Sequence, residues 1–465
     1  MKGSAFPMKT RRLGVGLASL ALVVSAAACT GEGADATGAE GGGSDPVKVQ
    51  IAPEDGAKKV RPDLPVTVTA DNGEVKTVKI TQSGGAADEK ESPEGEGGGK
   101  KATAELNDVK GSLNKDKTEW VSTQTLVPGA DIKVTATAEN GDGEETEVVS
   151  EFSAEAATDG KKLEVQSNFP QSGETVGVGM PVIVNFDLPV TNKLQVENAI
   201  EVVSEEPAEG AWNWFGDKMA VFRPSEYWKP EQKVHVNMRL AGVQAADGVY
   251  GVKNQRLDFE VGREQITTID DKSHQMVVER DGKEIKDFPI SNGDASTLKY
   301  TTTSGVHLTM EKYAHLVMDS ATVGVPKGHP DYYKLDVNWA VRFSNSGEFT
   351  HAAPWNGSLG QANMSHGCTN MSTADAKWFH DESLMGDPFI VEGTKRELEV
   401  DNGWGYWQRS WDEWLEHSKT GKADKTDDEG TPGASTSKPE NGEKENAESG
   451  EKDQKDDKES AGAGN

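Results

Sequence analysis

Alternation of apolar and polar residues, present in two similar copies, is the feature that most constrains the fold of this chain. Val66–Thr69 and Ile132–Thr137 alternate in the first copy, and Val234–Met238 alternates in the second. In both copies a Pro-x-x-Gly sequence is followed by a Pro-Val pair, at 53–66 and at 170–182. A period of two places every second side chain on one face of a β-strand. The sequence therefore predicts two immunoglobulin-like β-sandwiches of roughly 110 residues each.

A third unit with a different texture follows residue 263. Asp281-Gly282 between two alternating stretches predicts a tight hairpin turn. Ser372 with Asp375 three residues later predicts the N-terminus of a helix. The predicted fold is mainly β: two immunoglobulin-like sandwiches, then a β-rich catalytic domain and a short Trp-rich helical segment. The predicted segments are a signal peptide at 1–28, a flexible tether at 29–45, immunoglobulin-like domains at 46–156 and 157–263, a catalytic domain at 264–400, a Trp-rich segment at 401–417 and a disordered acidic tail at 418–465.

Composition restricts the classes of function that are open to this 465-residue chain. It contains 78 acidic and 49 basic residues, which gives a formal net charge of −29. A surface of that sign repels phosphate backbones, so a nucleic-acid partner is disfavoured. The chain has two cysteines, Cys29 and Cys368, and their sequence surroundings differ. A disulfide framework is therefore disfavoured as well.

The N-terminus has the pattern of an export signal. Basic residues precede the apolar run Leu13–Val24, which is too short to span a bilayer, and small residues lead into Cys29. This junction resembles the lipobox of bacterial lipoproteins, in which the cysteine is lipidated, although Ala26 stands where Leu is commonest. We expect lipidation at Cys29 and a location on the outer face of the cell membrane, in the cell-wall space. The alternative is ordinary cleavage after Ala28.

Two contrasting segments end the chain. Trp404, Trp407, Trp411 and Trp414 have the spacing of one stripe on a helix. We expect these indoles to pack back on the preceding domain, and stacking on sugar rings is the alternative. After Leu415 the chain has no Val, Ile, Leu, Met or aromatic residue, so the tail cannot bury enough apolar surface to offset its ordering entropy. We therefore expect a disordered spacer from 418 onward.

The candidate chemistry lies in the third unit, where His351 precedes Cys368 by seventeen residues. A thiol with a reference pKa near ~8.5 needs a base to become a nucleophilic thiolate. His366 also lies close to Cys368 in sequence, and Gly367 allows the backbone to approach a substrate. The residues alone leave two readings open: an activated nucleophile, or a buried inert cysteine.

The wider pattern favours the first reading. The sequence S-H-G-C-x-N at 365–370, preceded by H-x-x-P-W at 351–355, resembles the signature of the L,D-transpeptidases, which have a YkuD-type catalytic domain. The resemblance is greatest to the actinobacterial branch, in which two immunoglobulin-like domains precede the catalytic one. It covers roughly residues 160 to 418 and, less securely, the first sandwich.

This resemblance implies a role for each matching residue. Cys368 would be the nucleophile and His351 its general base, while His366 would support the loop. Gly367 and Cys368 would supply the N–H groups of an oxyanion hole. The residues expected to contact the substrate are Met318, Tyr333, Ser346, Gly347, Trp355 and Asn370.

One departure from the family concerns the base. Ala352 stands where close relatives often have Ser, so we expect a backbone carbonyl to orient the histidine instead. A papain-type protease is disfavoured because its cysteine precedes its histidine. A zinc site is disfavoured because the single residue between His366 and Cys368 is not a usual ligand spacing.

The expected reaction is peptidoglycan crosslinking. Cys368 would attack the third residue of a tetrapeptide stem and expel the terminal D-Ala, and an amine of another stem would take the acyl group to give a 3→3 crosslink. No cofactor is expected, and carbapenem-type inhibitors are expected to form a thioester. Two alternatives stay open: an L,D-carboxypeptidase, in which water is the acceptor, and a non-catalytic wall-binding scaffold lipoprotein.

Overall fold

Strands dominate the part of the chain that the structure describes, which confirms the mainly β prediction. The structure is a computed structural model and describes residues 45–85, 106–427 and 433–438. The predicted signal peptide, the lipidation site Cys29 and most of the tether lie outside these residues. Within them, no helix is both long enough and apolar enough to cross a membrane.

The first unit is a sandwich of two sheets around one apolar core. Its sheets have the orders β1-β2-β5-β4 and β3-β6-β7. In β6, Ile132, Val134 and Ala136 are buried whereas Lys133 is exposed, so the predicted alternation is confirmed. The strands are β1 (Lys48–Ala52), β2 (Thr67–Asp71), β3 (Glu74–Ser83), β4 (Gly111–Leu113), β5 (Glu119–Ser122), β6 (Asp131–Glu139) and β7 (Glu145–Ser153).

The second unit is a larger sandwich. Its main sheets have the orders β10-β18-β15-β12 and β29-β13-β14-β11-β9, and β16-β17-β8 form a small third sheet. The strands are β8 (Lys162–Leu163), β9 (Val165–Phe169), β10 (Thr175–Val176), β11 (Val182–Phe186), β12 (Ile200–Ser204), β13 (Glu209–Phe215), β14 (Met219–Pro224), β15 (Gln232–Met238), β16 (Gln244–Ala246), β17 (Val249–Gly251), β18 (Gln255–Val261) and β29 (Asp424–Lys425). One helix, α1 (Lys193–Asn198), follows β11.

The internal repeat is visible in the topology. In the first sandwich β1 pairs antiparallel with β2, and Ala52 lies opposite Thr67. In the second, β9 pairs antiparallel with β11, and Phe169 lies opposite Ile183. Each pair flanks one copy of the Pro-x-x-Gly sequence, so the repeated residues form the same supersecondary unit twice.

The third unit packs a six-stranded sheet, β21-β20-β19-β27-β22-β28, and a four-stranded sheet, β23-β24-β25-β26, around a core that includes Phe288, Phe343 and Phe389. The strands are β19 (Gln265–Asp270), β20 (Gln275–Arg280), β21 (Lys283–Pro289), β22 (Thr303–Leu308), β23 (Lys312–Asp319), β24 (Lys334–Arg342), β25 (Phe349–Ala352), β26 (Thr369–Met371), β27 (Pro388–Glu392) and β28 (Arg396–Glu397). Short 3₁₀ turns occur at Leu298–Tyr300 and Ser320–Val323.

Two local predictions in this unit are confirmed. Asp281 and Gly282 both have positive φ, 50° and 69°, and join β20 to β21. This left-handed geometry matches the right-handed twist of a two-stranded ribbon. The Ser372 side chain accepts a hydrogen bond from the Asp375 N–H and caps helix α2 (Thr373–Glu382).

The Trp-rich segment differs from the predicted stripe. Only α3 (Trp411–Glu416) is α-helical, and Tyr406–Gln408 forms a 3₁₀ turn. Trp404 and Trp414 are buried in a core formed mainly by the second sandwich, to which the preceding catalytic unit contributes Leu308 and Met310. The segment folds around the buried guanidinium of Arg223, which lies 4.6 Å from the ring centroid of Trp414. Packing around this cation replaces the regular helical period.

The predicted disorder from 418 onward is wrong for the described residues 418–427 and 433–438. The buried Glu197 carboxylate accepts hydrogen bonds from the Ser418 hydroxyl (2.8 Å) and from the backbone N–H groups of Lys419 and Thr420. Strand β29 then extends the sheet next to β13. The prediction considered only apolar burial, and it failed because backbone and hydroxyl hydrogen bonds order this polar segment. Residues 428–432 and 439–465 lie outside the described residues.

A short stretch of the same tail contacts both sandwiches. Ser435 donates its N–H to the Thr123 carbonyl of the first sandwich at 2.9 Å. The neighbouring Ala434 carbonyl accepts a hydrogen bond from the Asn198 amide of the second sandwich, also at 2.9 Å. The C-terminal segment thus connects the two sandwiches to each other.

Candidate active site

Parallel pairing of two short strands brings the predicted nucleophile and base together. His351 lies on β25, and Cys368 immediately precedes β26. The register places His351 opposite Asn370. Residues two apart on a strand share a face, so Cys368 and Asn370 point to the same side as His351. The sequence separation of seventeen residues is thereby reduced to neighbouring positions of one sheet.

The thiol of Cys368 is buried, with 7% of the residue exposed. Its S–H faces the Gly347 carbonyl at an S···O distance of 3.7 Å, and the Phe349 N–H points toward the sulfur. Burial raises the pKa of the Cys368 thiol to about 12, and the nearby Glu348 carboxylate acts in the same direction. The Phe349 N–H and the Arg342 guanidinium partly oppose this rise. The cysteine is therefore a neutral thiol in the free protein at neutral pH.

His351 is buried and held at both ring nitrogens. Its Nδ1–H donates to the Ala352 carbonyl at 2.9 Å, which is the backbone contact predicted in place of a serine. This bond assigns the lone pair to Nε2, which accepts a hydrogen bond from the Asn370 amide at 3.0 Å. Burial lowers the pKa of His351, so the ring is neutral and its Nε2 carries a lone pair and no proton. In the described residues no hydrogen bond joins Nε2 to the thiol.

The loop before the nucleophile is fixed by internal hydrogen bonds. Gly367 has a φ of 122°, a backbone conformation that favours glycine. Its N–H donates to the Ser365 hydroxyl at 3.1 Å, and its carbonyl accepts from the Thr302 hydroxyl at 2.8 Å. Because the Gly367 N–H is already engaged, the Cys368 N–H is the better placed of the two predicted oxyanion donors.

His366 faces outward, away from this pair. The residue is exposed, and its ring makes an edge contact with Tyr300 (centroids 4.5 Å apart) and a tilted contact with Tyr333 (5.6 Å). These contacts make it part of a cavity wall. The structure gives it no hydrogen bond to Cys368.

A cavity of about 560 Å³ adjoins the nucleophile loop. Three of the predicted substrate-binding residues, Tyr333, Ser346 and Gly347, line it together with His366 and Gly367. Its remaining walls are formed by Leu298, Lys299, Tyr300, Ser320, Thr322, Val323, Val325, Asp331, Asn345, Glu348, Arg396 and Glu399.

The other three predicted substrate-binding residues do not line the cavity. Met318 packs in an apolar cluster with Cys368. Asn370 is buried and holds His351, and its carbonyl oxygen accepts from Asn356. Trp355 is half exposed, and its ring centroid lies 6.2 Å from that of His351. The position of Trp355 fits a residue beside the base.

Sequence reasoning missed the function of one residue at this site. Glu348 lies next to the turn that contacts the thiol and is 3% exposed, yet it is a carboxylate. Glu348 immediately precedes β25, in which all four residues are buried, so no alternation of apolar and polar residues marks the burial of this acid. Ser344 and Ser346 donate to Glu348 from nearby in sequence, but Thr303, which donates twice, lies 45 residues away, and the sequence does not mark that contact.

Fold and site together define a protein with two immunoglobulin-like sandwiches and a β-rich domain that holds a buried cysteine and histidine beside a cavity. Residues 264–391 match the L,D-transpeptidase catalytic domain (YkuD), and residues 100–244, which run from the first sandwich into the second, match a bacterial Ig domain. L,D-transpeptidase 2 of Mycobacterium tuberculosis is 32% identical over 369 residues, which cover 79% of this chain and 84% of that protein.

Two further similarities have comparable sequence identity. L,D-transpeptidase 5 of Mycobacterium tuberculosis is 31% identical over 378 residues, covering 80% of this chain and 77% of that protein. The solved structure of the LD transpeptidase LdtMt1 in complex with imipenem is 34% identical, covers 49% of this chain and 98% of that chain, and has a TM-score of 0.43. The chain belongs to the L,D-transpeptidase family, with a YkuD catalytic domain preceded by immunoglobulin-like domains.

We predict that the Cys368 thiol of the folded chain reacts slowly with iodoacetamide at pH 8.5 and that its alkylation rate still rises above pH 10. The reason is the pKa of about 12, well above the value of ~8.5 for an exposed thiol. The measurement is the alkylation rate against pH for the full chain carrying Cys29→Ala, in which Cys368 is the sole thiol. The urea-unfolded chain is the control and is expected to have its midpoint near ~8.5. A rate that levels off below pH 8 in the folded chain would contradict the burial argument.

Proposed function

We propose that this protein is a peptidoglycan L,D-transpeptidase that forms 3→3 crosslinks through a Cys368 thioester. The observation that carries the proposal is a pair of neutral groups, one on β25 and one immediately before the parallel β26, beside a cavity: a buried thiol and a buried imidazole whose Nε2 carries the lone pair. Because both groups are neutral, they can be buried together without leaving an unpaired charge. They become charged only when a proton passes from sulfur to Nε2.

The first half-reaction releases D-Ala. Cys368 Sγ attacks the carbonyl carbon of the third residue of a donor tetrapeptide while Nε2 of His351 takes the thiol proton. The Cys368 N–H donates to the oxyanion of the tetrahedral intermediate. The intermediate collapses, the C–N bond to D-Ala breaks, and the imidazolium returns its proton to the leaving amine.

The second half-reaction transfers the acyl group. A side-chain amine of another stem attacks the thioester carbonyl, and His351 takes a proton from the attacking nitrogen. The C–S bond breaks, sulfur recovers the proton, and the new amide is the crosslink. Covalent catalysis splits one difficult acyl transfer into two easier steps and uses no cofactor here.

Asn370 has a defined place in this scheme. It occupies Nε2 of His351 in the free protein. The donor peptide must move the amide or the ring so that Nε2 meets the thiol. Hydrogen bonds at catalytic sites are often incomplete before substrate binds, and Asn370 holds the ring in its correct tautomer until then.

Carbapenem-type compounds are proposed as acylating inhibitors of the same thiol. The support is the relatives: L,D-transpeptidase structures are known with imipenem and with a faropenem-derived adduct. An opened β-lactam carbonyl on Cys368 would correspond to the acyl intermediate of the first half-reaction.

The activity is tested by incubating the purified chain with a tetrapeptide stem and analysing the products by mass spectrometry. We expect free D-Ala and a crosslinked dimer, and the Cys368→Ala variant is expected to yield neither. D-Ala with only the trimmed tripeptide would make the protein an L,D-carboxypeptidase. Unchanged tetrapeptide would favour a wall-binding scaffold and overturn the proposal.

We further propose that the protein is a lipoprotein anchored at Cys29 on the outer face of the cell membrane, with the two sandwiches as a spacer toward the wall. The sequence junction at Ala26–Cys29 supports this location. Cys29→Ala is expected to move the protein from the membrane fraction to the soluble exported fraction, with the stem-peptide activity of the purified chain unchanged. If variant and parent partition equally to the membrane fraction, the proposed lipid anchor at Cys29 is wrong.

A further inference from the structure

A buried carboxylate that the acyl-transfer mechanism does not use lies beside the nucleophile. Glu348 accepts hydrogen bonds from the Thr303 N–H at 2.7 Å, from the Thr303 hydroxyl at 2.9 Å and from the Ser346 hydroxyl at 3.0 Å. The Ser344 hydroxyl also donates to it. A buried charge is costly unless it is hydrogen-bonded. Four donor groups meet that requirement at Glu348.

The hydrogen-bond chain continues to a second buried histidine. His307, like Thr303, lies on β22, and its Nε2 is 2.8 Å from the Thr303 hydroxyl. The Gly305 carbonyl, 3.1 Å from Nδ1 of His307, can only accept a hydrogen bond, and burial lowers the pKa of His307, so the neutral ring carries its proton on Nδ1. Nε2 then accepts from the Thr303 hydroxyl. The single proton of the Thr303 hydroxyl is thus shared between two acceptors, Nε2 of His307 and the Glu348 carboxylate.

Glu348 lies between the two backbone groups that contact the thiol. The residue before it, Gly347, provides the carbonyl that accepts the S–H, and the residue after it, Phe349, provides the N–H that points at the sulfur. Fixing the Glu348 side chain therefore fixes both peptide planes against the thiol. On the other side, a Cβ added to Gly367 would lie 3.7 Å from Cγ of Glu348, so the nucleophile loop packs over the same side chain.

We propose that Glu348 is a positioning residue for Cys368: its anchored carboxylate sets the 344–349 turn, and with it the Gly347 carbonyl and the Phe349 N–H, against the thiol. Two consecutive threonines hydrogen-bond to the two segments that lie on either side of Cys368. Thr303 holds Glu348, and Thr302 holds the Gly367 carbonyl at 2.8 Å.

Other charged groups near the thiol differ from Glu348 in their exposure or pairing. Arg342 on β24 acts against the rise in the pKa of Cys368, but it pairs with Glu311 at 3.2 Å. Arg396 and Glu399 line the same cavity and are partly or fully open to solvent, which screens them. Glu348 is the buried charged residue of the 344–349 turn, so its replacement should change the reactivity of Cys368 more clearly than replacement of the other charged groups.

The first test is thiol alkylation by iodoacetamide in the full chain with Cys29→Ala. Glu348→Gln keeps the side-chain shape and removes the charge. The Glu348 charge raises the pKa of Cys368, so its removal should increase the thiolate fraction, and we expect alkylation at pH 9 to become faster by about threefold to tenfold. Glu397→Gln, an exposed acid on β28 outside the cavity, is the matched control and is expected to leave the rate unchanged. An unchanged or slower rate in folded Glu348→Gln would overturn the proposal.

A second variant tests positioning and carries the test if Glu348→Gln fails to fold. Thr303→Val removes the hydroxyl between His307 and Glu348 and keeps the side-chain volume. In Thr303→Val, the first-order rate constant of carbapenem acylation is expected to fall about tenfold or more, with the apparent binding constant unchanged. This measurement depends on the proposed acyl transfer. An unchanged first-order constant would contradict positioning by Glu348. A parent chain that forms no adduct would instead remove the proposed function, while the alkylation result would still stand.

Discussion

The parallel pairing of β25 with β26 is the constraint on which the site depends. It places His351 opposite Asn370 and puts Cys368 on the same face, two residues before Asn370. The pairing also buries both reactive groups, and burial shifts their pKa values in opposite directions, upward for the thiol and downward for the imidazole. Both shifts favour the uncharged forms. In the free protein a neutral thiol therefore lies near a neutral imidazole, and the proposed mechanism requires the substrate to complete the contact between them.

Buried carboxylates anchor several parts of this acidic protein. Glu197 holds the start of the C-terminal tail on the second sandwich. Asp387 receives both terminal nitrogens of Arg263, at 2.7 and 2.9 Å, and ties the catalytic unit to the end of the second sandwich. Glu348 holds the turn against the thiol. Each of these acids is satisfied by specific donors, which is the condition under which a buried charge can define a geometry.

The sequence predicted the features that local patterns encode. Alternation identified strands such as β6, Asp281-Gly282 identified a hairpin, and the family resemblance identified His351 and Cys368 as partners. It did not predict the ordered segment after 418, because hydrogen bonds to the distant Glu197 leave no trace in local hydropathy. The predicted helical stripe of the Trp-rich segment was wrong for a similar reason, because these indoles pack around Arg223 and do not follow a helical period. Features held by polar contacts between distant residues escaped prediction.

The central claim is that Cys368 carries the acyl group and His351 removes its proton. The most direct measurement is the rate of carbapenem adduct formation against pH, followed by intact-protein mass spectrometry and peptide mapping, in the parent and in His351→Ala. We expect the adduct on Cys368, a loss of about 10²–10⁴ in rate without His351, and recovery only well above pH 8.5, where the thiol of pKa about 12 begins to ionise unaided. An adduct on another residue, or a His351→Ala variant that acylates at the parent rate at neutral pH, would contradict the mechanism.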